Sequence, residues 1–255
     1  YSYKEKKELH NFLWLSSIDR KDDASTLRKI ISLWNVDNLK YKSVIWETSI
    51  ISKRIMSWIL NADIILKNSN FEFKRNFIES IVIQTNHLRK NLKYEIDSQK
   101  KTEVITALIL SGLVFKEYEE NYEYGLKELE KLIQTFFDNK GFPLTRSPND
   151  LLNITKYFLL IKEVVKDAQK YAPDALENIL EKNLECLKQI TTPTNSLPLF
   201  NGSVEDDLTS FYEYINHFKI KVKKSKTNTG NIHVIRNKKD IIYFEAGDPP
   251  KKNYS

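Results

Sequence analysis

Gln84, His87 and Asn91 stand at i, i+3 and i+7, the spacing that puts three polar side chains on one face of a helix. An imidazole between two amides has two uses: it ends a helix by hydrogen bonding its own neighbours, or it walls a polar cleft and moves a proton there. Earlier in the chain Arg54, Trp58 and Asn61 follow one another at one-turn intervals, with Trp46 ahead of them. Flat rings beside a guanidinium suit anionic sugars, because the ring face stacks on the sugar while the planar fork binds a carboxylate or sulfate. The same rings also serve as core. Arg146 immediately precedes Ser147-Pro148, which reads as a helix start because Pro in a first turn lacks only an N–H that has no partner there. The other N–H groups of that turn would add to its pull on an anion, unless the arginine is simply a surface residue beside a cap.

Several common chemistries are absent by spacing. The six glycines form no dinucleotide fingerprint, Walker loop or nucleophile elbow, so nucleotide cofactors are not expected. His10, His87, His217 and His233 are scattered, with no pair of histidines at metal-binding spacing, and only distant segments could assemble a metal site. The single cysteine, Cys186, excludes an internal disulfide and leaves the redox compartment open. No apolar run reaches the roughly 18 residues of a membrane span, which predicts a soluble chain. The N-terminal residues do not read as a signal peptide.

The elements that must position these groups are helices over most of the 255 residues. Ile51, Ile55, Trp58 and Ile59 share a stripe, as do Leu126, Leu129, Leu132, Ile133, Phe136 and Phe137, and then Leu176, Ile179, Leu180, Leu184 and Leu187. Val104 to Phe115 and Leu151 to Val165 are apolar nearly all round, as expected of helices enclosed by others. Breaks are predicted at Asn68-Ser69-Asn70, Asp97-Ser98, Glu120-Asn121, 139–143 and Ala172-Pro173-Asp174.

At Phe218 the pattern changes. Phe218, Ile220 and Val222 alternate with lysines, and Ile232 to Ile235 and Ile241 to Phe244 follow across turn residues, predicting a three-stranded antiparallel meander. Charge changes at the same point: residues 1–217 hold 30 basic and 31 acidic side chains, residues 218–255 hold 10 and 3. Two domains are therefore expected, 1–217 and 218–255, the second too small to stand alone, so the sequence reads as part of a longer protein. The alternating lysines are read as the solvated face of a strand rather than a nucleic-acid footprint.

The order of motifs resembles the heparinase II/III family. It runs from Asn11-Phe-Leu-Trp-Leu and Trp34 to Asn38, through Trp46 and Arg54-Ile-Met-Ser-Trp58-Ile-Leu-Asn61, to Gln84-x-x-His87-Leu88-x-x-Asn91 and Ala107 to Gly112-Leu. Asp138-x-x-Gly141, Arg146-Ser147-Pro148 and Leu197-Pro-Leu-Phe200-Asn201-Gly202 complete it. The resemblance implies a mainly α fold, an incomplete (α/α) toroid followed by the first antiparallel strands of a β-sandwich. It also implies a polysaccharide lyase that cleaves uronic-acid-containing chains by β-elimination, with an anionic polysaccharide as partner and a periplasmic or cell-envelope location. No cofactor is expected within these residues, although a structural metal would fit the rest of the sandwich.

Such a lyase needs a group that neutralises the uronate carboxylate, a base for its α-proton and an acid for the leaving oxygen. Counted back from Ala107 and Gly112, the family's Asn-His pair falls on Gln99 and Lys100, and counted on from Ser147-Pro148 its Tyr-His pair falls on Asp150 and Leu151, so neither is kept. Asn86-His87-Leu88 spells similar letters about four turns too early. The expected site is thus His87 for proton transfer, Gln99 and Lys100 for the carboxylate, and Arg54, Trp58 and Arg146 for binding. Two other readings stand beside it: a catalytically silent polysaccharide-binding relative, and a helical-repeat scaffold for protein partners, the latter favoured if Trp58 and Arg146 are buried.

Overall fold

A computed structural model describes residues 2–18, 24–42, 44–204, 206–222, 229–237 and 241–246. The chain folds as two compact units, Tyr1–Leu129 and Glu130–Ser255, whose boundary lies inside a helix.

The first unit contains α1 (Tyr3–His10), α2 (Ala24–Asn38), α3 (Thr48–Leu60), α4 (Ala62–Ile65), α5 (Phe71–Asn91), α6 (Ser98–Val114) and the start of α7 (Glu119–Phe136). Local chemistry fixes their starts. Asn70 caps α5 by accepting from the Phe73 N–H, and Asp97 caps α6 by accepting from the Lys100 N–H, so two of the predicted breaks are side-chain caps. The break expected at Glu120-Asn121 falls earlier, at an extended Phe115 and a 3-10 turn over Lys116–Tyr118. Glu119 and Glu120 instead occupy the first turn of α7, where negative charge favours a helix.

From Thr102 to Gly112 every residue of α6 is buried, as its all-round apolar sequence requires. Against it lies α3. Thr48 Oγ1 donates to Glu95 just ahead of α6, and Lys53 pairs with Glu103 further along both, so the two helices run the same way. Opposite to both runs α5, whose Gln84 meets Arg54 while its Phe77 meets Trp58. Close approach of α7 to α6 depends on Gly112, where a Cβ would lie 2.2 Å from the Tyr122 backbone nitrogen.

In the second unit, Ser147 caps α8 (Pro148–Asp167) with Pro148 in the first turn, and α9 (Asp174–Ile190) follows. Both bury the predicted apolar stripes. The turn after α7 docks on α9: Asp138 Oδ1 accepts from the Lys140 and Phe142 N–H groups, and Asn183 Nδ2 donates to the Gly141 carbonyl at 2.6 Å. Gly141 has φ +86°, and a Cβ there would strike Lys182, so both conformation and space call for glycine.

The expected three-stranded meander is corrected to a hairpin among the described residues. Phe218 ends α10 (Thr209–His217), Lys219 turns left-handed at φ +53°, and the Lys219 and Ile220 N–H groups close back on Asn216 and Ile215. This two-bond helix ending satisfies the last carbonyls and outweighs the short alternating pattern. The other two segments pair as predicted, β1 (Ile232–Arg236) antiparallel to β2 (Ile241–Glu245), with Ile232 opposite Glu245 and Val234 opposite Tyr243. That face packs inward, Tyr243 donating to the Ile190 carbonyl and Arg236 to the carbonyls of Gln189 and Thr191. Ile235, Ile242 and Phe244 are exposed on the other face.

Replacing Gly112 with Ala should force α6 and α7 apart. A loss of about 2 kcal/mol in urea-induced unfolding is expected from such overpacking, and an unchanged midpoint would contradict the close approach.

Candidate functional site

Arg54 and Trp58, expected on a cleft wall, are both 0% exposed. The guanidinium is used up inside the first unit. Nε donates to Gln84 Oε1 at 2.6 Å, Nη1 to the His10 carbonyl at 2.7 Å, and both Nη atoms reach the Ile45 carbonyl. The cation also lies 4.2 Å from the centre of the Trp34 ring. Its acceptors are neutral, and burial pushes the guanidinium pKa down to about 9. Trp58 sits among Phe12, Trp34 and Phe77 at ring-centre distances of 5.3 to 5.6 Å. These two residues hold the core together, and the binding roles expected of them are corrected accordingly. Gln84 belongs with them: its amide nitrogen donates to Ser80, so it orients Arg54 rather than facing a ligand.

His87, by contrast, is half-buried at the end of the unit where α3 and α6 begin and α5 finishes. Its ring stands edge-on to Trp46 at 5.1 Å, and Tyr41, 69% exposed, lies 6.0 Å away. Burial lowers the imidazole pKa, the Lys90 charge lowers it further, and a hydrogen bond to the Trp46 backbone opposes both. Next along the chain from Trp46, Glu47 accepts from Tyr3 and pairs with Lys7 at 3.0 Å. Burial would raise its pKa, but these hydrogen bonds with the charges of Lys7 and Lys100 hold it below the usual carboxylate range. The stretch Trp46-Glu47-Thr48 therefore touches His87 on one side and faces the start of α6 on the other. Gln99, half-buried, and Lys100, exposed and 3.9 Å from Asp97, occupy that first turn. His87 and Lys100 thus share one end of this unit, and Tyr41 joins them without having been foreseen, since a lone exposed Tyr in a loop carries no spacing signal.

Arg146 belongs to the second unit and is only 8% exposed. Its Nε lies 2.6 Å from Glu245 Oε1 on β2, so the chain itself supplies the anion this arginine was expected to take from a ligand. Asn201 Nδ2 lies 2.9 Å from both the Arg146 carbonyl and the Glu245 carboxylate. Arg146 and Asn201 are both left-handed, at φ +60° and +50°. The motif ending in Asn201-Gly202 thereby docks on the start of α8, where Ser203 and Val204 exchange hydrogen bonds with Asn149. Asp150 lies in the first turn of α8 and Leu151 is wholly buried.

Two outcomes follow from this chemistry. Arg54→Ala should cost about 3 kcal/mol in denaturant unfolding, since it leaves a cavity and strands the buried Gln84 oxygen and two part-buried carbonyls. Arg54→Lys should recover little of it, because one ammonium cannot reproduce the planar fork. The second outcome concerns His10, whose Nδ1 accepts from Trp34 Nε1 at 2.9 Å and which is therefore neutral when folded. Burial and the charge of Arg54 hold its pKa below the ordinary 6.5. The unfolded chain takes up the proton first, so stability is full above that value and declines as pH falls below it. Urea midpoints measured from about pH 7.5 to 5 should show that decline, and His10→Asn, which keeps an acceptor but does not titrate, should lessen it, leaving the part due to His87.

Comparison with known proteins places this arrangement. The family model described as Heparinase II/III N-terminus matches residues 22–226. No curated protein matches the sequence. Among solved structures, heparinase III superposes with a TM-score of 0.80 at 18% identity over 100% of this chain. A mutant of the heparan sulfate lyase HepC from Pedobacter heparinus gives 0.74 at 16% identity over 98%. Each is matched over only 46% of its own length, so this chain spans less than half of either. The likeness gives the fold, mainly α and corresponding to the (α/α) toroid portion followed by the first antiparallel strands. No helix among the described residues is long and apolar enough to cross a membrane. With its family model covering most of its length, the chain belongs to the heparinase II/III family.

Proposed function

We propose that this chain is the helical portion of a polysaccharide lyase-like protein that binds uronic-acid-containing anionic polysaccharides and cleaves them by β-elimination. The reading is supported by one end of the first unit, where His87, with Trp46 and Tyr41 beside it, lies near the close of α5 and Gln99 and Lys100 open α6. Elimination begins with the carboxylate, whose charge must be countered before the adjacent α-proton becomes acidic. In this reading the Lys100 ammonium and the Gln99 amide meet that carboxylate, and the Tyr41 ring offers a face to the sugar. His87, neutral because burial lowers its pKa, gives one N–H to the Trp46 backbone and keeps a lone pair on its other nitrogen. It takes the α-proton, the bond to the leaving oxygen breaks as the ring double bond forms, and the leaving oxygen is protonated from solvent or from a group outside these residues.

A second reading is favoured by Asp150 and Leu151. Where the family places a phenol and an imidazole, this chain has a first-turn carboxylate and a wholly buried Leu, which offers no acid for the leaving oxygen. A catalytically silent relative that holds the same polysaccharide is the natural alternative. Burial of Trp58 and Arg146, which the scaffold reading anticipated, is accounted for by internal contacts and needs no protein partner.

In keeping with the family, we assign a bacterial periplasmic or cell-envelope location. Residues 218–255 are taken as the start of a β-sandwich, whose further strands would cover Ile235, Ile242 and Phe244. Any structural metal is likewise proposed for that continuation.

The test is a lyase assay on the full-length protein against a panel of uronic-acid polysaccharides, following ultraviolet absorbance of the unsaturated product. Activity that falls by about a hundredfold or more in His87→Ala and weakens in Lys100→Ala supports elimination at this end of the unit. Its rate should drop as pH falls through a value below 6.5, because a protonated His87 cannot accept a proton. Binding without product selects the silent relative, and absence of both overturns the polysaccharide reading.

A further inference from the structure

We infer that the groove between α2 and the beginning of α5 is a second polysaccharide-binding site, one that holds an anionic sugar segment away from the His87 end of the first unit. The inference rests on the polysaccharide reading and adds a separate contact to it. The groove has a volume of about 830 Å³, within the several hundred to about 1,000 Å³ typical of ligand sites. Phe73 and Asn76 line it in the first turns of α5, and His87 follows Phe73 by fourteen residues, roughly 20 Å along a helix. The two sites therefore lie at opposite ends of one rigid element.

What sets the groove apart is the chemistry of the facing surfaces. Helices that approach each other usually meet through apolar side chains. Here α2 buries Leu27, Ile31 and Trp34 in that way, but beside them it presents Arg28, Lys29, Ser32 and Leu33 to the groove, and α5 answers with the Asn76 amide and the Phe73 ring. Arg28 is held in place, its Nη1 donating to the Lys67 carbonyl at 2.6 Å, so its planar fork is ordered before any ligand arrives. Phe73 is half-buried and stacks on Phe77, with ring centres 6.1 Å apart and planes 19° from parallel, which fixes the ring as a platform. Among the described residues that line it, Glu72 is acidic and Arg28 and Lys29 are cations. A fixed aromatic face, hydroxyl and amide partners for sugar hydroxyls, and an excess of positive charge match a uronate- or sulfate-bearing sugar.

A second contact on the same polymer converts part of binding into an intramolecular event, so long chains gain affinity that short ones do not. The experiment compares the full-length protein with the Arg28→Ala/Phe73→Ala variant, whose fold is checked by its melting temperature. Retardation in native gels containing heparan sulfate or alginate is measured, along with binding of a disaccharide from each. The variant should bind the long chains about tenfold more weakly or worse, with disaccharide binding at the His87 end unchanged. Retardation equal to wild type overturns the groove and leaves the polysaccharide reading intact. Equal losses for long and short ligands also overturn it, because the groove would then not be a separate site. A wild-type protein that neither polysaccharide retards removes both.

Discussion

The Arg54 guanidinium sets the register of the first unit. It joins the end of α1 through the His10 carbonyl, the approach to α3 through the Ile45 carbonyl, and α5 through Gln84. A cation taken from water into a core must recover its lost hydration from whatever surrounds it. Here carbonyls, an amide and the Trp34 ring do so without a carboxylate. Each acceptor is useful only in one place, so the segments that carry them are placed together. The Ile45 contact has the widest consequence, because Trp46, Glu47 and Thr48 follow it directly. Those residues reach His87 and the segment leading into α6, so the candidate site inherits its geometry from a buried ion six to eight residues along the chain.

The second unit repeats the device with a different chemistry. Arg146 is also buried, but its partner is a true carboxylate, Glu245, and Asn201 ties both together. Two residues in the left-handed region, Arg146 and Asn201, lie within this cluster. The Asp138 to Gly141 turn, fastened to α9 through Asn183, does similar work for the approach to α8. In both units arginines whose types suggest ligand binding instead join distant pieces of chain.

Legibility in the sequence follows from the range of the interactions involved. The starts of α5, α6 and α8 were readable because a cap and its N–H partner are three residues apart. The stripes of α3 and α9 and the β1 and β2 segments were readable for the same reason. Phe218 to Val222 misled because two hydrogen bonds at the end of α10 decided a stretch too short for alternation to rule. Arg54 and Trp58 misled for another reason: α3 is covered on several sides, so a polar residue on its sequence wheel need not face water. Glu245, lying far along the chain on β2, gave no local sign that it would meet Arg146.

The motifs that carried the family resemblance divide along the same line. Gly112 admits Tyr122 against α6, Gln84 orients Arg54, Gly141 seats the turn on α9, and Asn201 with Gly202 docks on α8. All of these hold the fold, and all are present. The positions at which elimination chemistry is expected, 99, 100, 150 and 151, carry other residues, and of these Leu151 is inside the core. The frame is therefore that of the family, while the proposed elimination calls on groups this chain places differently, His87 on α5 and Lys100 in the first turn of α6. Shared architecture transmits the geometry of the helix ends and not the identity of the side chains on them, and the activity of this protein is decided by the latter.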